Sequence, residues 1–399
     1  MSSGLLAVDG ARPVGSADAT SIVIDGDRIA DISPSRGGRS LAGGGRAAAR
    51  DGVFRVIAAE GLVAAPGLID LQLNGAAGHD LTEDPASVWD VAAALPRYGV
   101  TALLPTLVSD DDATIAWAQD VVVAGPPAGH RGASVLGWHL EGPFLSPARA
   151  GVHPPAALRA PDDAAAAGWS TTAAVRMVTL APELPGATGL VRQLTARGVV
   201  VAAGHSDATY AEACTGFDAG VRAVTHLFNA MRPLDHRDPG IVGAALDEAR
   251  VTLGVIADGL HVDPVVVGLA WRLAGGTAGR MALVTDAIAA LGMPPGRHRL
   301  AGLDITTDAT SARAHGRLAG SVLSLDQAVR NLVAFTGCTL DDALGAASSV
   351  PARLLGEDDR GVLRAGAIAD LVLLAPGGEV VATIVGGEVL HGLERLDTR

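Results

Sequence analysis

Glu141, His205 and His226 stand in three similar contexts, HLEG, AGHS and THLF, each closing a run of small or apolar residues. One carboxylate and two imidazoles suit zinc or a similar divalent ion, and three protein ligands leave a coordination position open. Asp286, in LVTDA, ends another apolar run. Outside the ligand set, it is placed to act as general base on an activated water. Singly, each residue has a plainer role: a hydrogen-bonded strand-end histidine, an ion-paired glutamate, or an aspartate capping the next helix. Jointly the balance reverses, because His, Glu or Asp marks five of eight such ends in a chain with 11 His. The stretch IDLQLNG at 69–75 alternates apolar and polar residues, placing Gln72 and Asn74 on one face of a strand end. These amides either serve as hydrogen-bonding groups or occupy the place of a second ligand pair.

The elements that must position these residues are legible in the middle of the chain. Candidate strands cover 67–75, 100–109, 133–142, 175–183, 199–206, 223–231, 251–259 and 280–287. Helix-like segments at 85–98, 111–123, 187–197, 208–219 and 263–274 separate them. Strands alternating with helices predict a (β/α)8 TIM-like barrel over 67–355, whose site lies at the C-terminal strand ends. The terminal segments 1–66 and 356–399 carry hairpin-like strands and Gly-Gly turns. Neither sustains a large core alone, so together they predict one small β-sandwich domain beside the barrel. The Gly/Arg-rich stretch 36–52 reads as a solvated loop.

Composition excludes several classes. A net charge of −13 disfavours nucleic acid as the main partner. One small phosphorylated substrate, held by one or two basic residues, remains compatible. No long uninterrupted apolar run predicts a membrane span, and the N-terminus does not read as a signal peptide. Every basic side chain besides histidine is arginine. This excludes a Schiff-base lysine, a phosphate-loop lysine and a lysine carbamate bridging two metals. The two cysteines, Cys214 and Cys338, belong to no ligand-spaced cluster and fit a reducing cytoplasm.

The motifs PGLIDLQLNG, HLEGPF, AGHSDAT, THLFNAM, ADGLHV, LVTDA, LAGS and PARLLG occur in this order across nearly the whole chain. The sequence resembles the N-acetylglucosamine-6-phosphate deacetylase family of the amidohydrolase superfamily. That resemblance implies a metal-dependent deacetylase with a (β/α)8 barrel and a small β-sandwich from both termini. It implies Glu141, His205 and His226 as metal ligands, Asp286 as catalytic acid/base, and His153 as a group polarising the acetyl carbonyl. Val152, Asn229, Ala230 and Asp258 are implied at the substrate. His261 and Arg237 are implied at its phosphate, with Arg237 lent by the neighbouring subunit of a homodimer. Leu318, Ala319 and Gly320 are implied in a loop closing over the sugar.

Where other amidohydrolases carry His-x-His at the end of the first strand, this chain has Gln72-Leu73-Asn74. Neutral amides are poor ligands for zinc. The expectation is one divalent ion per subunit, zinc first, with iron, cobalt and manganese also accepted, and Gln72 and Asn74 lining the pocket. From residues alone, Arg237 reads as a surface salt-bridge partner of Asp235 or Asp238, and only the resemblance reverses that reading. Alternatives are another N-acetylated amino-sugar phosphate or N-acyl amino acid as substrate, a glycoside hydrolase using Glu141 and Asp286, or a non-catalytic sugar-phosphate sensor.

Overall fold

The first barrel strand, Leu68–Leu73, is buried along its whole length. It pairs in parallel with Val100–Val108, also wholly buried, as a strand between a barrel interior and a helical layer must be. The ladder continues in parallel through Trp138–Glu141, Val175–Leu180, Val200–Ala203, Ala223–Val224, Thr252–Val255 and Met281–Leu283. Leu73 then bridges Ala287 in parallel and closes the ring. The seam is drawn tight by Asp286 N–H on the Gln72 carbonyl (2.9 Å) and Asn74 N–H on the Ala287 carbonyl (2.7 Å). The chain is thus a TIM-like barrel, seen in a computed structural model that describes residues 5–35, 55–276 and 279–395. The Gly/Arg-rich stretch 36–52 lies outside them.

The outer helices start where local chemistry tells them to. Asp111 and Asp263 cap Asp112–Ala124 and Pro264–Leu273, the latter with proline at its first position. Thr209 and Glu212 form a reciprocal capping box on Tyr210–Ala219. Two expected strands are shorter than their apolar runs. The fifth stops at Ala203 and the sixth at Val224, so His205 and His226 lie beyond the ladders. Their φ values, 47° and 26°, are left-handed. The backbone leaves extended geometry there to turn the imidazoles inward, which an alternation pattern does not reveal.

Strands from both termini share a second sheet, ordered 388–391, 380–385, 371–374, 63–66, 6–13, 20–25 and 28–34, with 55–58 also pairing 6–13. Its separate core includes Leu6, Val8, Ile22, Ile57, Leu371 and Ile384. One element has no counterpart in the sequence expectations. A four-stranded antiparallel sheet, Arg297–Leu300, Leu303–Thr307, Ala312–Ala314 and Arg317–Leu318, follows the eighth strand. It packs Leu300, Ile305 and Ala319 on Val108 and Ile288, forming a flap over the strand ends. Among the described residues, no helix is long and apolar enough to cross a membrane.

Candidate active site

The three residues expected as ligands come together at the strand ends or just beyond them. Glu141 Oε1 lies 3.0 Å from His226 Nε2 and 3.3 Å from His205 Nε2, and the two Nε2 atoms are 3.1 Å apart. Donors each about 2.0–2.1 Å from a tetrahedral zinc would lie roughly 3.3 Å apart, so this triangle fits such a cation. His153 crowds the same carboxylate, with Nε2 3.5 Å from Glu141 Oε2, and it too falls within ligating reach together with Glu141 and His205. Hydrogen bonding separates the roles. Ser109 N–H donates to His153 Nδ1 (3.1 Å), so the His153 proton sits on Nε2, which offers a donor rather than a lone pair. His205 Nδ1 donates to the Arg149 carbonyl (2.9 Å), leaving its Nε2 lone pair for the triangle.

Electrostatics agree with that division. Burial pushes the Glu141 carboxyl up, but hydrogen bonds from His153, His205 and His226 outweigh it and hold it well below the carboxylate range. Burial, then the His205 charge, pull the His153 imidazole down to about 4, so it is neutral. Burial pulls His226 down, yet its hydrogen bond and charge pairing with Glu141 leave it above the ordinary imidazole value. A cation in the triangle would relieve this crowding of imidazole nitrogens. His139 is different: its two ring nitrogens sit 3.1 Å from the Leu71 carbonyl and 2.7 Å from Thr179 Oγ1, as befits a structural histidine.

Asp286 is less free than its sequence context implies. Its Oδ1 accepts Asn74 Nδ2 (2.7 Å) and Gln72 Nε2 (3.2 Å), while Gln72 Nε2 also donates to Glu141 Oε1 (2.9 Å). Thr225 Oγ1 donates to Gln72 Oε1 (2.8 Å), which fixes the orientation of that amide. The two amides therefore turn N–H groups, not lone pairs, toward the carboxylates. Burial, then the Glu141 charge, raise the Asp286 carboxyl to about 6.

Glu141, His205, His226 and Asp286 line a cavity of about 290 Å3. Asn74, Val152, Asn229, Ala230, His261, Leu318, Ala319 and Gly320 are among its walls. Gln72, His153 and Asp258 are not among the walls: Gln72 and His153 contact Glu141, which is, and Asp258 holds the wall residue His261 at 2.7 Å. Asn229 donates its amide to the His226 carbonyl (3.1 Å), so it braces its own loop as well as facing the cavity. Arg237 is exposed and absent from the walls. The pairings that competed for it do not form either: Asp235 pairs with His236 and Asp238 with Arg232. Arg149, Gly151 and Leu300 also line the cavity and carried no sequence signal. Arg149 binds through its carbonyl, Gly151 has no side chain, and Leu300 belongs to the flap.

The amidohydrolase family model matches residues 63–390. The chain is 42% identical to the human N-acetylglucosamine-6-phosphate deacetylase over 348 residues, 83% of this chain and 84% of that one. The chain belongs to the N-acetylglucosamine-6-phosphate deacetylase family of amidohydrolases. The family's fold is shared in full. A Pasteurella multocida deacetylase of that name superposes with a TM-score of 0.86 at 29% identity, covering 96% of this chain and 99% of that one. A Mycobacterium smegmatis member, solved in complex with N-acetyl-D-glucosamine-6-phosphate, gives 0.83 at 34% identity over 98% of this chain and 100% of that one. The same family neighbourhood holds an N-acetylgalactosamine-6-phosphate deacetylase from Escherichia coli O157:H7, 40% identical over 332 residues, 81% of this chain and 86% of that one.

Proposed function

We propose that this protein hydrolyses the acetamide of N-acetylglucosamine 6-phosphate to glucosamine 6-phosphate and acetate. The observation that carries the reading is the triangle of Glu141, His205 and His226 beside an oriented Asp286, in a chain of this family. Those three residues would hold one divalent cation, with zinc favoured by the donor set and iron, cobalt or manganese also suited. A cation bound there lowers the pKa of a water and polarises the acetyl carbonyl. Asp286, anchored through Oδ1, takes the proton of the attacking water and returns it to the departing nitrogen. That return is required, because an amide anion is a very poor leaving group. His153 donates its Nε2–H to the developing oxyanion. The amide donors of Gln72 and Asn74 leave no ligand pair for a second cation.

Binding energy for positioning comes from the phosphate end of the sugar. His261, backed by Asp258, faces it in this subunit, and Asn229, Ala230 and Val152 contact the substrate. Leu318, Ala319 and Gly320 close over the sugar. Arg237 would reach the phosphate of the neighbouring subunit in a homodimer. Its exposure in its own subunit supports this, as does an apolar stripe on Pro264–Leu273. There Val265, Leu269 and Leu273, spaced by four, are 70%, 47% and 58% exposed. The hydrolase unit is assigned to 67–355 and the sheet-rich unit to 1–66 with 356–399, in a cytoplasmic enzyme.

Metal analysis paired with acetate release from N-acetylglucosamine 6-phosphate, before and after chelation, tests class, stoichiometry and substrate together. One ion per subunit and chelator-sensitive turnover are expected. Acetate release that survives a strong chelator would count against a catalytic cation, whereas a glycosidase pairing of Glu141 and Asp286 would release no acetate from this substrate. Two fully occupied ions per subunit would refute the single-cation reading. The galactosamine relative keeps the 4-epimer as a second reading, decided by comparing kcat/KM for the two sugars.

A further inference from the structure

Arg149 ends the short turn Pro147–Arg149 on the loop between the third strand and His153. That loop is tied to the segment after the fifth strand at three points. Ser146 N–H donates to the His205 carbonyl (2.9 Å), and His205 Nδ1 donates to the Arg149 carbonyl (2.9 Å). The Arg149 guanidinium grips Asp207 Oδ1 through Nε (2.8 Å) and Nη2 (2.7 Å). Asp207 is itself held, since its N–H donates to Glu183 Oε1 (2.7 Å). Its other oxygen faces Arg232 Nη1 at 3.7 Å. Arg232 in turn clasps Asp238 through Nε at 2.7 Å and Nη2 at 2.5 Å. Asp238 exchanges backbone hydrogen bonds with Asp235 (3.0 and 3.2 Å) across the loop that carries Arg237. One carboxylate therefore bridges two arginines. One arginine holds the ring of a ligand histidine through its carbonyl, and the other braces the base of the Arg237 loop.

We propose that Asp207 is a positioning residue for both ends of the site. Through Arg149 it keeps the carbonyl aligned on His205, so that the Nε2 lone pair points at Glu141 and His226. Through Arg232 it holds the loop that presents Arg237. The Arg149 and Asp207 side chains are about one-third exposed (32% and 35%), so their attraction adds little to stability. Its effect is geometric, because partners that orient a ligating histidine matter about 10–100-fold in metal affinity. The proposal rests on reading His205 as a ligand and Arg237 as a phosphate contact.

Asp207→Asn, Arg149→Met and the double variant test it in the full-length protein, with zinc affinity read by chelator competition in the absence of substrate. Each single variant should weaken zinc about tenfold. The double should lose no more than the worse single, because both act through one contact. KM for N-acetylglucosamine 6-phosphate should rise further in Asp207→Asn than in Arg149→Met, since only Asp207 also faces Arg232. Asp207→Glu should recover part of the zinc affinity. Wild-type zinc affinity in both single variants, or additive losses in the double, would overturn the proposal. Because zinc is read without substrate, failure of the deacetylase reading leaves that result standing.

Discussion

Asp286 shows how much of the chemistry is settled at single residues. Its φ of 49° is left-handed, a strained setting for a non-glycine residue, and its amide and carbonyl are both spent on the barrel seam, on Gln72 and Ser321. The side chain thus reaches the pocket from a fixed base, and two amides fix its rotation through Oδ1. In the proposed role of general base it must be ionised. Burial and the Glu141 charge hold it up at about 6, whereas the Asn74 hydrogen bond lowers it. A cation in the adjacent triangle would act in the same direction as Asn74 and draw the acid limb of kcat/KM to lower pH. Asn74→Leu removes the stabilising donor. Its acid limb should therefore move to higher pH, with a larger activity deficit at pH 6 than at pH 8. A limb that stays in place or moves down would contradict this account. Asp286→Asn removes proton transfer altogether and should lower kcat by about 10^2–10^4 while zinc content stays at one per subunit. Wild-type kcat in that variant would remove Asp286 from the mechanism.

Between residues, the seam of the barrel carries the site. Asp70, fully buried, accepts Thr285 Oγ1 (2.6 Å), Thr285 N–H (3.3 Å) and Gln72 N–H (3.2 Å), binding the first strand to the segment that ends in Asp286. Burial raises its carboxyl from 3.8 to about 7 against those hydrogen bonds. The folded chain then holds a proton that the unfolded chain has lost between about pH 4 and 7. This contribution is present below the unfolded value and is lost as pH rises through about 7, at most roughly 4 kcal/mol in all. Asp70→Asn is neutral throughout, so its urea midpoint should decline less than that of the wild type from pH 4 to 8. Parallel declines would mean that Asp70 does not titrate in this window. What could be read from sequence follows the same physics. The strand ends stood out because long apolar runs, as in Val100–Val108, stop at polar residues. The flap did not, because its strands are two to five residues long and partly exposed, giving little apolar contrast. The sixth strand is only two residues long, and Leu227 and Met231 beyond it are buried by packing outside the ladder. Asp207 carries no sequence signal, since its importance depends on which two arginines the fold brings to it.

At the scale of the whole molecule, the question is whether one chain completes its own site. The triangle, Asp286 and His153 all come from one subunit, but the cavity walls include His261 and, among the described residues, no arginine other than Arg149, whose charge is spent on Asp207. A dianionic phosphate anchored by one imidazole and no free guanidinium would be weakly held, and Arg237 is exposed in its own subunit. The proposed two-fold pair would resolve this, because an isologous interface would lend Arg237 in both directions. Arg237→Ala should therefore raise KM with little change in kcat, the signature of lost binding shared by ground state and transition state. An unchanged KM would leave Arg237 as a surface residue. Subunit mixing then separates lending from local action. Each Asp286→Asn subunit keeps a good arginine, and each Arg237→Ala subunit keeps a good base. In a mixed dimer, one site receives both intact groups and the other receives neither. Random exchange of equal amounts should bring about a quarter of all sites back to wild-type KM. If Arg237 acted within its own subunit, no pairing could reunite the two groups, and the mixture would show only the average of the two parent preparations.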